Sequence, residues 1–393
     1  MTFDAKNKVA IVGVGHSQLG RHLDRPLGLL ALDAALAAID DAGLAIEDID
    51  GFTTFPELPA TGHGGPEDGR TVVTLHWMVS ALGSKQVNWW TQMGSGNIST
   101  AIGAAIQALA TNCCDHVLVW RALHLPRGGT YTQHTGNEAR GAAAYAAPYG
   151  NSLAPVWFAP NYMRYLKLYG AQREHLATFV VNSRNFANLN PKAFFHDTPM
   201  TVDDYMNARM IADPMCLFDC DIPIDGAAAI VLSRAELATS LRHPPAYVTG
   251  FGQAGFDASL VPPDEFWHTT ESLGRGVWES SGLRPSDVDG AMLYDGFSPD
   301  VYFWLEGLGF CGRGEAFEWI QDGRIALGGE LPINTFGGNL SEGRLHGIGH
   351  WVEATLQIQG RADARQIAGA EHVLVATGLT GHGSGAILSA APL

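Results

Sequence analysis

A chain of 393 residues with 46% apolar content can bury a sizeable core and supply roughly two to three domain-sized units, so it reads as globular throughout. Its net charge of -16, from 24 basic and 40 acidic residues with no Lys/Arg run, argues against nucleic acid and anionic membrane surfaces as partners. No apolar stretch approaches the ~18 residues of a membrane span, and Met1 to Lys8 has no signal-peptide core, so the expected location is cytoplasmic.

In chain order, Lys8 to Val12 predicts a short strand, and Gly13-Val-Gly-His-Ser-Gln-Leu-Gly20 follows it. The third glycine falls two positions late for a dinucleotide loop, so no nucleotide cofactor is expected. Leu27 to Asp41 has helical apolar spacing and a stop at Gly43, and Ile49 to Phe55 predicts a strand. Val87-Asn-Trp-Trp90 runs through a glycine turn into a helix over Ile98 to Leu109, and Asp115 to Trp120 is again a strand. This is the pattern of an α/β unit with a mostly parallel sheet. From Leu123 to about Met200 the sequence turns aromatic and rich in Gly and Asn, with helices near Tyr162 to Tyr169 and Arg173 to Ala187. That length predicts an inserted loop subdomain, about 121–205, over the active-site face.

Five cysteines without scaffold spacing read as free thiols. Cys216 and Cys220 lie beside Asp219 and Asp221, but with no second pair no metal site is expected.

The chain then repeats itself. Ala42-Gly-Leu-Ala-Ile-Glu-Asp-Ile-Asp-Gly51 is echoed by Ser281-Gly-Leu-Arg-Pro-Ser-Asp-Val-Asp-Gly290, and Asp115-His-Val-Leu-Val119 by Glu371-His-Val-Leu-Val375. A glycine-rich turn and a helix precede the second echo each time: Met93 to Gly96 in one half, Gly337 to Gly349 in the other. These pairs predict a duplicated α/β chain, divided at 1–240 and 241–393, with both helix starts at one pocket.

A doubled chain with these turns resembles the thiolase superfamily over nearly its whole length, most closely the sterol-carrier-protein-x and lipid-transfer-protein branch. Val87 to Gly96 lines up with the nucleophile loop, and Arg209 to Ala229 is similar to that branch's end of the first half. Tyr294-Asp-Gly-Phe-Ser298 stands where those enzymes carry His-Asp-Cys-Phe or Asn-Glu-Ala-Phe, and Asn334 to Gly347 matches the loop of the catalytic Gly-His-Pro. The resemblance implies a duplicated five-layered αβαβα thiolase fold, a CoA-thioester substrate with no other cofactor, a homodimer, and a small OB-fold, zinc-ribbon partner protein.

The departures steer the expected chemistry. Met93 occupies the nucleophile position, Arg344 the histidine position, and Leu379 the place of the second cysteine. A thioether forms no thioester, so condensation through a cysteine is not expected. Cysteine-less members with a Tyr-Asp-x-Phe motif and a Ser-Glu-Gly-x-x-His-Gly loop resemble aldolases that cut steroid side chains as CoA thioesters. In those, two tyrosines manage the proton of the β-hydroxyl; Tyr294 matches the first, and Arg344 stands at the second. The expected activity is retro-aldol cleavage of a β-hydroxyacyl-CoA. The alternatives are a non-catalytic acyl-CoA or lipid-binding subunit and a non-cysteine acyltransferase.

Tyr294 is the first candidate to take the hydroxyl proton, with Arg344 favouring its phenolate or holding a substrate oxygen. A buried strand-end tyrosine, and a salt bridge from Arg344 to Glu342 or Asp295, are the structural alternatives. His346 is a relay, an enolate donor or a satisfied loop histidine. Asp295 orients the neighbouring loop. Met93, Gly94, Ser95 and Gly338 are candidates for the substrate and oxyanion site, with His382 and Ser384 from the closing loop. Trp89, Trp90, Trp120 and the aromatics of Tyr145 to Tyr169 either line an acyl pocket or fill the core.

Overall fold

The structure, a computed structural model, describes residues 3–56, 67–94, 97–125, 144–145, 147–150, 154–255, 264–378 and 382–393. The first run of elements is β1 (Val9–His16), α1 (Leu27–Ala42), β2 (Gly51–Thr54), α2 (Leu75–Leu82), β3 (Trp89–Gln92), α3 (Ile98–Ala110) and β4 (His116–Leu123). Next come α4 (Ala154–Tyr169), α5 (Arg173–Asn188), α6 (Val202–Met206), β5 (Met210–Ala212), β6 (Met215–Cys216), β7 (Gly226–Arg234) and α7 (Ala235–Ala238). The chain closes with β8 (Ala246–Ala254), α8 (Asp264–Ser281), β9 (Gly290–Leu293), α9 (Asp300–Gly307), α10 (Ala316–Trp319), α11 (Gly338–Ser341), α12 (Ile348–Ile358), β10 (His372–Thr377) and β11 (Gly383–Ser389).

The main sheet has the order β3-β2-β4-β7-β1-β8-β11-β10-β9. Read outward from the β1–β8 junction, both directions give first strand, last strand, second echo, first echo, with β3 as an addition on one side. The repeated sequence supplies the reason. Asp50, in the first echo, accepts the backbone N–H groups of Asp115 and His116 at 2.9 and 3.0 Å, at the start of the second echo. Asp289 does the same for Glu371 and His372 at 2.8 and 2.9 Å. In each half one buried or half-buried carboxylate thus ties two neighbouring strand starts together.

The expected mostly parallel sheet is corrected. Within this sheet β2–β3, β2–β4 and β9–β10 run parallel, whereas β1–β7, β1–β8, β4–β7, β8–β11 and β10–β11 run antiparallel. The short β10–β11 connection forces a hairpin, and the long excursion after β4 returns β7 from the opposite end.

Alternation along the strands then builds the layers. In β4, Val117 and Val119 face a central core while Leu118 and Trp120 face an outer one; in β10, Val373 and Val375 face the centre and Leu374 and Ala376 the other outer core. The central core holds α3 and α12, through Ile98, Ile102, Trp351 and Val352. Helix α1 covers one outside through Leu30 and Ala34, and α8 the other through Leu273 and Val277. Five layers result. Trp120 therefore packs under α1, and Tyr162 and Tyr165 pack into the core beneath α8 and α9, so these three are core residues.

Strand β1 extends to His16, which places Gly13 and Gly15 inside it instead of in a cofactor loop. A Cβ at Gly15 would stand 2.1 Å from the Ala34 carbonyl of α1, and one at Gly252 of β8 would stand 2.6 Å from the Leu273 carbonyl of α8. These glycines let each outer helix lie directly on its strand. Gly15→Ala is expected to destabilise the fold by ~2 kcal/mol or more, since backbone must move to admit a methyl group, and chemical denaturation measures it.

Candidate active site

The site is built where three stretches of backbone meet. Asp221 N–H donates to Gly296 O at 3.1 Å, Ile222 N–H to Asn339 O at 3.1 Å, and Arg344 N–H to Ile222 O at 2.8 Å. Thus the segment before β7, the loop after β9 and the loop from α11 to α12 converge. Tyr294 follows the last residue of β9, and Asn334 holds that residue from both sides: its Oδ1 accepts from Leu293 N and its Nδ2 donates to Leu293 O, both at 2.8 Å. The Tyr294 N–H donates to Ala376 O, and Trp304 Nε1 donates to Tyr294 O at 2.9 Å. A fully paired backbone therefore aims this ring.

Burial pushes the Tyr294 phenol well above its ordinary range, and the charge of Asp221 adds to that; Arg344 works in the opposite direction, followed by smaller upward pushes from Asp300 and Asp295. The residue as a whole is half-buried. Tyr294 and Arg344 thus act on each other electrostatically. Burial and Asp221 outweigh the cation's pull, so this phenol holds its proton more firmly than an ordinary tyrosine.

Asp295 is 1% exposed and its oxygens are committed: Oδ1 accepts from Asn339 N at 2.9 Å and lies 3.2 Å from His350 Nε2, and Oδ2 accepts from Leu340 N at 3.5 Å. It orients the loop. The amides following Gly338 are consequently spent on Asp295, and Gly338 itself serves close approach, with φ of 63° and a would-be Cβ 1.9 Å from Asp295 Oδ2.

The two helix starts do meet. A Cβ on Gly347 would stand 3.0 Å from Thr377 and 3.6 Å from Ile98, and Trp351 Nε1 of α12 donates to Ser99 Oγ of α3 at 2.7 Å. At α3 the Asn97 side chain accepts from Ser99 N and Thr100 N at 2.8 and 3.3 Å, which takes up two of the free donors; α12 begins at Gly347 with no side-chain cap. Met93 N–H is bonded to Thr54 O at 3.0 Å, and the side chain is half-buried against the central core. Gly94 is exposed, while Ser95 and Leu379 lie outside the described residues. His382 is half-buried before β11, and Ser384 is buried in β11 opposite Thr377. Trp90 is 61% exposed on edge strand β3.

Glu342 is 2% exposed, with Oε1 accepting from Asn190 Nδ2 at 3.0 Å. Burial raises its carboxyl to about 8, with Asn190 opposing, Glu353 adding, and Arg365 and Lys192 opposing. Between about 4.5 and about 8 the folded chain keeps a proton that the unfolded chain releases, so this group lowers stability as pH rises through that window. Glu342→Gln is expected to remove that slope and to gain ~2–4 kcal/mol over the unsubstituted protein at pH 8, and denaturation of both proteins at pH 5 and 8 checks it.

Among the described residues no group of three or more His, Cys, Asp or Glu side chains is placed to hold a metal, and no helix is long and apolar enough to cross a membrane. Two residues at the site escaped the sequence reading. Asp221 was weighed only beside the cysteines, although it lies within Arg209 to Ala229, the stretch similar to that branch's end of the first half. Arg121, fully buried on β4, has its Nη2 2.7 Å from His346 Nδ1; a lone cation in an apolar strand was the available signal.

The C-terminal part, residues 265–391, matches the family model described as Thiolase C-terminal domain-like. The chain is 35% identical over 395 aligned residues to the 17-hydroxy-3-oxo-4-pregnene-20-carboxyl-CoA lyase of Mycobacterium tuberculosis, covering 97% of this chain and 99% of that one. It is 34% identical, with 97% of each covered, to the steroid side-chain-cleaving aldolase of Thermomonospora curvata. Among solved structures, the one titled Ltp2-ChsH2(DUF35) aldolase superposes with a TM-score of 0.85 at 32% identity, covering 98% of each chain. With a duplicated thiolase fold, no cysteine at the nucleophile turn, and this likeness along its whole length, the chain belongs to the family of thiolase-like steroid side-chain-cleaving aldolases.

Proposed function

We propose that the protein is a lyase that cleaves a β-hydroxyacyl-CoA by retro-aldol chemistry. The observation that carries this reading is the meeting of Tyr294, Asp221 and Arg344 at a site whose nucleophile turn holds Met93. Cleavage requires the β-hydroxyl proton to leave and the thioester oxygen to be held as an enolate forms. Tyr294 carries that proton. Raising the phenol makes its phenolate rarer but proportionately more basic, and Arg344 stabilises both the phenolate and the developing alkoxide. The relatives' names point to a steroid acyl chain, and we adopt a bulky steroid-type acyl-CoA as the substrate class, with no cofactor beyond the CoA it carries.

We further propose a homodimer through the β3 edge, where Trp90 is exposed beside an unpaired strand. A small OB-fold, zinc-ribbon protein is the second partner, supported by the two-protein title of the solved relative. Residues 1–240 and 241–393 form the two halves. The test is incubation with β-hydroxyacyl-CoA thioesters bearing a tertiary hydroxyl, with the partner supplied. Ketone plus shortened acyl-CoA is expected, and no product in the partner's presence overturns the reading.

A further inference from the structure

One charged side chain of the first half reaches into the catalytic loop of the second. Arg121 on β4 is fully buried, its guanidinium sits 5.0 Å from the Phe55 ring centroid, and its Nη1 donates to the Phe55 carbonyl. Its Nη2 lies 2.7 Å from Nδ1 of His346. A guanidinium has no lone pair to offer, so it can only donate. Nδ1 must accept, and the ring proton is left on Nε2, which points away from Arg121. The histidine is held firmly: its backbone takes a φ of 50°, which a non-glycine residue adopts only when its surroundings dictate it. It precedes Gly347 and the uncapped start of α12, and its side chain is only half-buried.

We propose that Arg121 is a positioning residue that locks His346 in the Nε2–H tautomer, making His346 a fixed hydrogen-bond donor to the thioester oxygen instead of a base. This assignment rests on the lyase reading for its chemical purpose. In the step, the electron pair of the broken carbon–carbon bond moves onto the thioester as an enolate, the phenolate form of Tyr294 takes the hydroxyl proton, and the α-carbon later takes up one proton, which restores the phenolate. His346 loses none. A tautomer held by a buried cation is preorganised for that work, because no proton need move as charge develops.

Selective 15N-histidine labelling of the full chain, with His346→Gln identifying the signal, reads the tautomer directly. Nδ1 unprotonated and Nε2 protonated at neutral pH is the expected result; a proton on Nδ1 overturns the assignment. Arg121→Met is expected to mix the tautomers and to lower kcat by ~10²-fold with KM nearly unchanged, and Arg121→Lys to recover part of both. A folded Arg121→Met protein with the original tautomer and kcat also overturns it. The tautomer is read without substrate, so its failure leaves the lyase reading standing. Absent turnover with the expected tautomer instead removes the lyase reading, and with it the donor role.

Discussion

Tyr294→Phe is expected to lower kcat for carbon–carbon cleavage by ~10²–10⁴-fold while leaving KM within a few-fold, because the ring and its backbone clamp remain and only the proton carrier is lost. The clamp makes this substitution informative. Asn334 pairs with Leu293 through both ends of its amide, Trp304 holds the Tyr294 carbonyl, and the Tyr294 N–H is bonded to Ala376, so none of the contacts that aim the residue involves the hydroxyl. A merely structural tyrosine would show the reverse: unchanged turnover with a small stability change. Steady-state kinetics with a tertiary β-hydroxyacyl-CoA distinguishes the two outcomes.

Arg344→Met is expected to reduce kcat/KM by ~10²-fold or more, through loss of a charge-assisted contact to oxygen in a site where burial already opposes charge. Arg344 lowers the Tyr294 phenol, against burial, Asp221, Asp300 and Asp295. With it gone, the phenol rises further and less phenolate forms. Arg344→Lys keeps the charge but not the planar fork, so partial recovery is expected. Full activity in Arg344→Met would return the residue to a salt-bridge role. Of the two carboxylates first weighed as its partners, Asp295 accepts from the Asn339 and Leu340 amides and Glu342 from Asn190.

Much of the frame was legible in one dimension. Apolar spacing in α1 and its stop at Gly43, the two echoed strand starts and the glycine turns all act through neighbours in sequence or through the two-residue period of a strand. Strand direction was less legible. Whether β7 lies parallel or antiparallel to β4 depends on the end from which a hundred-residue excursion returns, and local pattern carries no record of that. The aromatic residues divide the same way. Trp120 and Tyr165 have the composition of pocket walls, yet the face of the strand or helix that each occupies puts them in cores.

By itself the sequence determined the doubled α/β chain, the family, the loss of the covalent thiol, and the loops that carry Tyr294, Arg344 and His346, because each of these is a matter of residue identity at a fixed spacing. Only the tertiary structure decided the state of those groups. The phenol's proton depends on burial and on Asp221 from another segment, and the imidazole's tautomer on Arg121, 225 residues away in the chain. Electrostatic energy depends on distance through space and on local exclusion of water, and neither follows from position along the chain.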